Sequence, residues 1–167
     1  MIYTSLTILF SGLFTYVFDL MLQALAILTS QKNVVDVPIP DDGEVTVYGD
    51  IHGQYYDMLN AFELNGLPSD TNPTIFNGDL VDRGSFSMEV ALVLLSLKVL
   101  YPEHVHIARG NHETKSMNKV YGFEGEAKAK YPFLQCFSIL FIAWFPPLCL
   151  FAVPFLIIYL DVDCFYM

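Results

Sequence analysis

Gly78-Asp79-Leu80-Val81-Asp82-Arg83-Gly84 comes just after the apolar run Thr74-Ile75-Phe76. The stretch places two carboxylates and one guanidinium in a short loop that is bounded by glycines. A carboxylate at the end of a strand can bind a hard cation, and an arginine beside it can donate two parallel hydrogen bonds to a phosphate. Acidic residues beside glycines are also the usual composition of an ordinary turn. The loop alone therefore does not decide between a turn and a site.

Two further motifs of the same kind lie at similar distances on either side of this loop. Gly49-Asp50-Ile51-His52-Gly53 precedes it, and Arg109-Gly110-Asn111-His112-Glu113 follows it. Each comes directly after a short run with the composition of a strand. The three motifs together make a functional site a better interpretation than three unrelated turns.

The segments between the motifs have the spacing of helices, with apolar residues three and four apart. The sequence predicts strands over 44–48, 74–77 and 104–108 and helices over 54–64 and 87–100. This order is a βαβαβ unit of fold class α/β, whose strands run parallel with right-handed crossovers. Open α/β sheets bind ligands at the carboxyl ends of their strands. All three motifs are therefore predicted to meet at one edge of the sheet.

The three motifs read GD-x-HG, GD-x-VDRG and GNHE, and in this order they resemble the phosphoprotein phosphatases, the metal-dependent serine/threonine protein phosphatases. The flanking stretches 62–68 and 121–126 are most similar to the type 5 branch of that family. The resemblance extends from Val45 to Tyr131. It implies that this part of the chain is the amino-terminal, βαβαβ half of a calcineurin-like metallophosphoesterase domain and that its substrates are phosphoproteins.

Phosphate monoesters resist attack by water, and two metal ions about 3.5–4 Å apart overcome this by lowering the pKa of a shared water and screening the phosphoryl charge. Asp50 and His52 are two residues apart, so in an extended loop both can reach one ion. Asp79 fits as a carboxylate that bridges both ions, and Asn111 offers a neutral oxygen to the second ion. The resemblance implies the same four ligands, with manganese, iron or zinc as the metal.

The remaining motif residues suit work on the phosphoryl group and the leaving oxygen. His112 is the candidate general acid, and Asp82 is the carboxylate expected to hold its tautomer and orientation. Arg83 is expected to bind the phosphoryl group through two hydrogen bonds, which lysine cannot do. The resemblance implies these roles for the same residues. Arg109 and Glu113 are expected to support the loops without acting on substrate.

The composition of the chain restricts the kinds of molecule that it is expected to bind. The chain has 167 residues and a formal net charge of −10, which argues against nucleic acid as a partner because phosphate backbones select basic surfaces. Its three cysteines, Cys136, Cys149 and Cys164, match no metal or disulfide spacing and are interpreted as free.

The hydrophobic fraction of 54% is concentrated at the two ends of the chain. We predict three parts, an apolar segment 1–31, a partial phosphatase domain 32–131 and an apolar segment 132–167, with both apolar segments helical. Segment 1–31 is either a membrane span or a helix packed on the domain. Residues 133–160 carry no charge and are long enough to cross a bilayer, although Pro146, Pro147 and Pro154 would bend a helix there.

Two interpretations of the last segment remain open: a membrane tail, or translated sequence that is not normally coding, which we favour slightly. With a membrane tail, the flanking charges place the catalytic side in the cytoplasm. The predicted location is cytoplasmic, with membrane association through 133–160.

Three functions remain open: a protein serine/threonine phosphatase, a broader metallophosphoesterase, and a membrane-associated fragment of a phosphatase that has no activity. The four histidines are His52, His104, His106 and His112, and none follows His112. The resemblance implies two further histidine ligands downstream. We therefore expect at most one bound ion and little or no phosphatase activity from the chain as written.

Overall fold

The structure, a computed structural model, describes residues 2–32, 34–131 and 157–160. The helices are α1 Ile2–Ser30, α2 Tyr55–Asn65, α3 Ser87–Leu100, α4 Lys115–Tyr121 and α5 Phe123–Lys130. The strands are β1 Val34–Val37, β2 Thr46–Tyr48, β3 Thr74–Phe76, β4 Val105–Ile107 and β5 Ile157–Leu160.

The predicted βαβαβ unit is confirmed. Strands β2, β3 and β4 form one parallel sheet in chain order, with α2 and α3 as the connections between them. In the register of the sheet, Tyr48 lies beside Phe76 and Phe76 lies beside Ile107. The carboxyl ends of the three strands are therefore level, which is the arrangement that brings the following loops together.

The core lies between this sheet and α3. Every residue of β3 and β4 is buried, as expected for strands of a parallel sheet that is covered by other elements. Helix α3 buries residues around most of its circumference, whereas α2 buries only Met58 and Phe62. The ring of Tyr48 stacks on Phe76 at 4.9 Å between centroids.

The amino-terminal helix packs against α3 and contributes Val17, Met21 and Ala24 to the core. These three residues are spaced four and three apart, so they form one stripe on the helix. Asp19 lies off this stripe and is exposed. No helix in the described parts of the chain is long and apolar enough to cross a membrane. The burial of Val17, Met21 and Ala24 supports the packed helix for this part of segment 1–31.

Other expectations for the ends of the chain were wrong or lie outside the described residues. Residues 34–37, where the sequence predicted no strand, form β1, which pairs in parallel with β5. Residues 157–160 are thus a strand where a helical segment was predicted; their β-branched and aromatic composition suits a strand. Residues 132–156, most of the proposed membrane segment, are outside the described part of the chain.

Helices α4 and α5 were not predicted, because their short sequences carry no strong apolar period. Thr114 begins α4, its hydroxyl accepting a hydrogen bond from the amide of Met117, and Gly122 separates the two helices in a left-handed conformation. Helix α5 is held to α3 by Glu126, whose carboxylate accepts hydrogen bonds from the amides of Ser87 and Met88. A carboxylate in this position satisfies free amides at the start of a helix.

A buried lysine stabilises the connection from α3 to β4 by hydrogen bonds to its main chain. Lys98 is fully buried and its amine donates to the carbonyl oxygens of Pro102 and Val105, each at 2.7 Å. Burial lowers the pKa of Lys98 to about 8. His106, on β4, is only 5% exposed. Burial, together with the positive charge of Lys98, lowers the pKa of His106 to about 4.

We predict that the protein loses stability in acid through His106. The unfolded chain takes up a proton near pH 6.5, whereas the folded chain takes it up only near pH 4. Stability contributed by the neutral imidazole is therefore fully present above about pH 6.5 and is lost as the pH falls toward 4. The loss is of order 3 kcal/mol, from about 1.4 kcal/mol for each pKa unit.

Urea unfolding of the wild type and of His106→Gln between pH 4 and 7 measures this loss. Because glutamine does not titrate, the free energy of unfolding of the variant should fall less steeply over this range. Equal slopes for the two proteins would rule out His106 as the source of acid sensitivity.

Candidate active site

The three motifs form three loops at the carboxyl edge of the sheet, as the sequence predicted. Loop 1 is residues 49–53 after β2, loop 2 is residues 78–84 after β3, and loop 3 is residues 109–113 after β4. Main-chain hydrogen bonds join loop 1 to loop 2: the amides of Ile51 and His52 both donate to the carbonyl oxygen of Asp79, at 3.1 and 2.9 Å.

Loops 2 and 3 approach each other more closely than side chains would allow. A Cβ atom on Gly78 would lie 2.2 Å from the amide nitrogen of Gly110, and one on Gly110 would lie 2.2 Å from Oδ1 of Asp79. Heavy atoms that are not bonded to each other cannot lie this close together, so both positions require glycine. This contact is the physical reason for the glycines in the second and third motifs.

A buried carboxylate joins the same two loops. Glu113 is fully buried, and its oxygens accept hydrogen bonds from the amides of Asp79 at 2.9 Å, Leu80 at 2.8 Å and Gly110 at 2.8 Å. Burial raises the pKa of Glu113, and these three donors act in the opposite direction. Arg109 supports the loop through its Nε, which donates to the carbonyl oxygen of Glu113.

Among the residues that the structure describes, four that are not glycine adopt the left-handed backbone conformation, and all four lie in loops 1 and 2. Their φ angles are 45° at His52, 48° at Asp79, 70° at Asp82 and 67° at Arg83. Side chains disfavour this region, so the surrounding hydrogen bonds must hold the loops in place. Such a cluster is typical of a functional site and was not foreseen from the sequence.

Asp50, His52 and Asp79 form a group that could bind a metal ion, with one ligand atom from each lying within 4.8 Å of the others. Nδ1 of His52 is 2.9 Å from the carbonyl oxygen of Val81, which can only accept. Nδ1 therefore carries the hydrogen, and the lone pair of Nε2 is available to an ion. One imidazole nitrogen and two carboxylates suit a divalent transition metal. Asn111, the fourth predicted ligand, is exposed on loop 3.

Asp82, His112 and Arg83 are joined in a chain of hydrogen bonds beside this group. Nδ1 of His112 is 3.0 Å from Oδ2 of Asp82, and both side chains are fully buried. Nη2 of Arg83 donates to Nε2 of His112 at 3.1 Å. Because arginine has no acceptor, Nε2 must be unprotonated here and Nδ1–H must donate to Asp82. The ring of His112 lies 4.7 Å from that of His52, so the two groups adjoin.

Helices α4 and α5 also hold loop 2, through contacts that were not predicted from the sequence. The amide of Phe123 donates to Oδ1 of Asp82, and the side chain of Asn118 donates to Oδ2. The amide of Arg83 donates to the carbonyl oxygen of Tyr121. The signals available in the sequence were Thr114, a residue that commonly begins helices, and Gly122, a residue that commonly ends them.

We predict that Glu113→Gln destabilises the protein and weakens metal binding. The substitution keeps the volume but turns an NH₂ group toward backbone amides that need an acceptor, and an unsatisfied buried amide costs about 1–3 kcal/mol. Urea unfolding and calorimetric titration with Mn²⁺ should both register the change. Glu63→Gln, on the exposed part of α2, is the matched control, and equal behaviour of the two variants would contradict the role of Glu113.

Comparison with known proteins agrees with this geometry. Residues 43–163 match the family profile of the calcineurin-like phosphoesterases. Serine/threonine-protein phosphatase 5 of Homo sapiens is 53% identical over 131 residues, which are 77% of this chain and 26% of that protein. Serine/threonine-protein phosphatase 5 of Arabidopsis thaliana is 55% identical over 115 residues, 69% of this chain and 21% of that protein.

A solved structure of a protein serine/threonine phosphatase from Saccharomyces cerevisiae, described as similar to human phosphatase PP5, superposes with a TM-score of 0.74 at 40% identity. The match covers 78% of this chain and 41% of that one. The chain thus spans about a quarter of the length of these curated relatives. The family profile, the identities and the superposition agree on one assignment: the chain belongs to the calcineurin-like phosphoesterase family.

Proposed function

We propose that this site hydrolyses phosphate monoesters of serine and threonine in proteins. The observation that carries the proposal is the contact between two groups of different chemistry. Asp50, His52 and Asp79 can bind a cation, and they adjoin the Asp82–His112 pair and its arginine, with 4.7 Å between the rings of His52 and His112. Cleavage of a phosphate monoester needs a charge to offset the phosphoryl oxygens, a proton for the leaving oxygen and a donor that orients the phosphate.

The residues present fit a divalent metal ion, because His52 presents a free Nε2 and the carboxylates of Asp50 and Asp79 converge on it. A bound ion there supplies Lewis acidity, which activates water and offsets phosphoryl charge. Among the described residues, this was the only group of three or more histidine, cysteine or acidic side chains with such spacing. We therefore propose that the chain binds one ion, with Asn111 as a further ligand. Manganese, iron and zinc all suit this donor set.

Arg83 is the phosphate-binding residue in this proposal. Its guanidinium donates to Nε2 of His112 and lies 5.9 Å from the centre of the Tyr121 ring. A phosphate is a stronger acceptor for a guanidinium than a neutral imidazole is, and it can accept two parallel hydrogen bonds. Binding of the phosphate would therefore draw Arg83 away from Nε2 of His112.

His112 then supplies the proton. With Arg83 on the phosphate, Nε2 is free to hold a proton and to donate it to the serine or threonine oxygen that leaves. Asp82 accepts from Nδ1–H at 3.0 Å and stabilises the imidazolium before the transfer. Proton donation matters most for alkyl leaving groups such as serine, because an alkoxide is a very poor leaving group.

Phosphoproteins are the proposed substrates because the relatives are named serine/threonine-protein phosphatases. The net charge of −10 disfavours polynucleotides as substrates. A broader metallophosphoesterase remains the alternative, and the choice of substrate in the test separates the two. The cytoplasmic location and the boundaries of the three parts of the chain stay predictions.

We predict that the purified chain binds about one Mn²⁺ ion and hydrolyses a phosphoserine peptide slowly. Slow turnover is expected because a single ion cannot both activate water and brace the phosphoryl group. Calorimetry gives the stoichiometry, and phosphate release at high protein concentration gives the rate. Asp79→Asn is the matched control, since it keeps the volume of the side chain but removes the negative charge of one predicted metal ligand.

Phosphate release equal to that of Asp79→Asn would contradict the proposed function for this chain. Cleavage of a phosphodiester but not of the phosphopeptide would favour the broader esterase. Rapid turnover with two ions bound would contradict the proposal of a single ion.

A further inference from the structure

Asn118 lies in α4, outside all three motifs, and its side chain is fully buried. Its Nδ2 donates to Oδ2 of Asp82 at 3.0 Å and to the carbonyl oxygen of His112 at 2.8 Å. Both of these oxygens can only accept, so the NH₂ group and not the amide oxygen must face them. The two hydrogens of one amide therefore connect the side chain of Asp82 with the backbone of His112.

This amide completes the set of donors around Asp82. Oδ2 accepts from Nδ1 of His112 and from Asn118, and Oδ1 accepts from the amide of Phe123. Rotation of the carboxylate would break at least one of these hydrogen bonds. The oxygen that faces His112 is therefore held in one place, and the backbone of His112 is held by the same amide.

The environment of Asn118 argues against a role in folding alone. A buried amide is costly unless it is paired, and Oδ1 of Asn118 has no hydrogen-bond partner among the described residues. An apolar side chain of similar size would avoid that cost, so the buried amide at this position lowers the stability of the fold. Both of its hydrogen bonds go to the Asp82–His112 pair.

We propose that Asn118 is a positioning residue of the active site: it fixes the carboxylate of Asp82 against Nδ1–H of His112 and so aims Nε2 of His112 toward the substrate. Both side-chain hydrogen bonds of Asn118 go to this pair, so in this proposal it acts through the pair and not on the substrate. The inference rests on the proposed function for its meaning, but it can be tested without turnover.

The test is NMR of the chain labelled with ¹⁵N-histidine, with signals assigned through single histidine variants. In the wild type, Nδ1–H of His112 should give a resolved signal that exchanges slowly with water. In Asn118→Leu, which keeps the approximate volume, we expect loss of this signal or roughly tenfold faster exchange, the effect of one lost hydrogen bond to a charged acceptor. Asn118→Ala is the second variant if the leucine is not accommodated.

Two controls separate positioning from general loosening. Nδ1–H of His52 donates to the carbonyl oxygen of Val81, so its signal should not change in the Asn118 variants. Asn72 is also a buried asparagine, with hydrogen bonds to Thr46 and Asn65 at the start of the sheet. Asn72→Leu therefore removes comparable bonds far from His112 and should leave the signal of His112 unchanged.

An unchanged signal of His112 in the Asn118 variants would overturn the proposal. Equal loss of the His52 and His112 signals, or the same loss in Asn72→Leu, would also overturn it, because the role would then be structural. Unfolding of both Asn118 variants while Asn72→Leu stays folded would lead to the same conclusion. Inactivity of the chain in the phosphopeptide assay would contradict the proposed function and leave this test intact.

Discussion

The rest of the site depends on the hydrogen bonds that the carboxylate of Glu113 accepts. This carboxylate accepts from the amides of Asp79 and Leu80 on loop 2 and from that of Gly110 on loop 3, inside a fully buried space. Loops at the ends of parallel strands have no ladder of their own to satisfy their amides. One buried acceptor here satisfies three of them and brings the carboxylate of Asp79, a candidate metal ligand, to a defined place.

The carboxylate of Asp82 is a second point at which several elements meet, and its position depends on the hydrogen bonds of Glu113. Loop 2, once held by Glu113, places Asp82 where His112 reaches it from loop 3 while Asn118 and Phe123 reach it from α4 and α5. In the described part of the chain, the donors to this carboxylate all come from elements later than loop 2. The sheet alone therefore does not complete the site, and the two short helices that follow it are part of its construction.

The apolar composition of the amino-terminal helix is compatible with two environments, a membrane and the core of a folded domain. Its apolar sequence allowed a membrane span, but Val17, Met21 and Ala24 form one stripe that packs with α3 into the core. Average hydrophobicity does not distinguish these outcomes, because both remove apolar surface from water. The distinction depends on whether a complementary apolar face exists elsewhere in the fold, and α3 supplies one.

By itself the sequence determined the α/β class, the order of the five central elements and the loops that carry the candidate site, because strand and helix periods and glycine-bounded motifs are local signals. It also indicated Asp50, His52 and Asp79, which the structure brings together. Only the tertiary structure decided that Glu113 joins two loops, that α4 and α5 exist as supports, and that Asn118 contacts the Asp82–His112 pair. These features depend on hydrogen bonds between residues distant in the chain, and neither spacing nor composition records which distant amide a buried acceptor will meet.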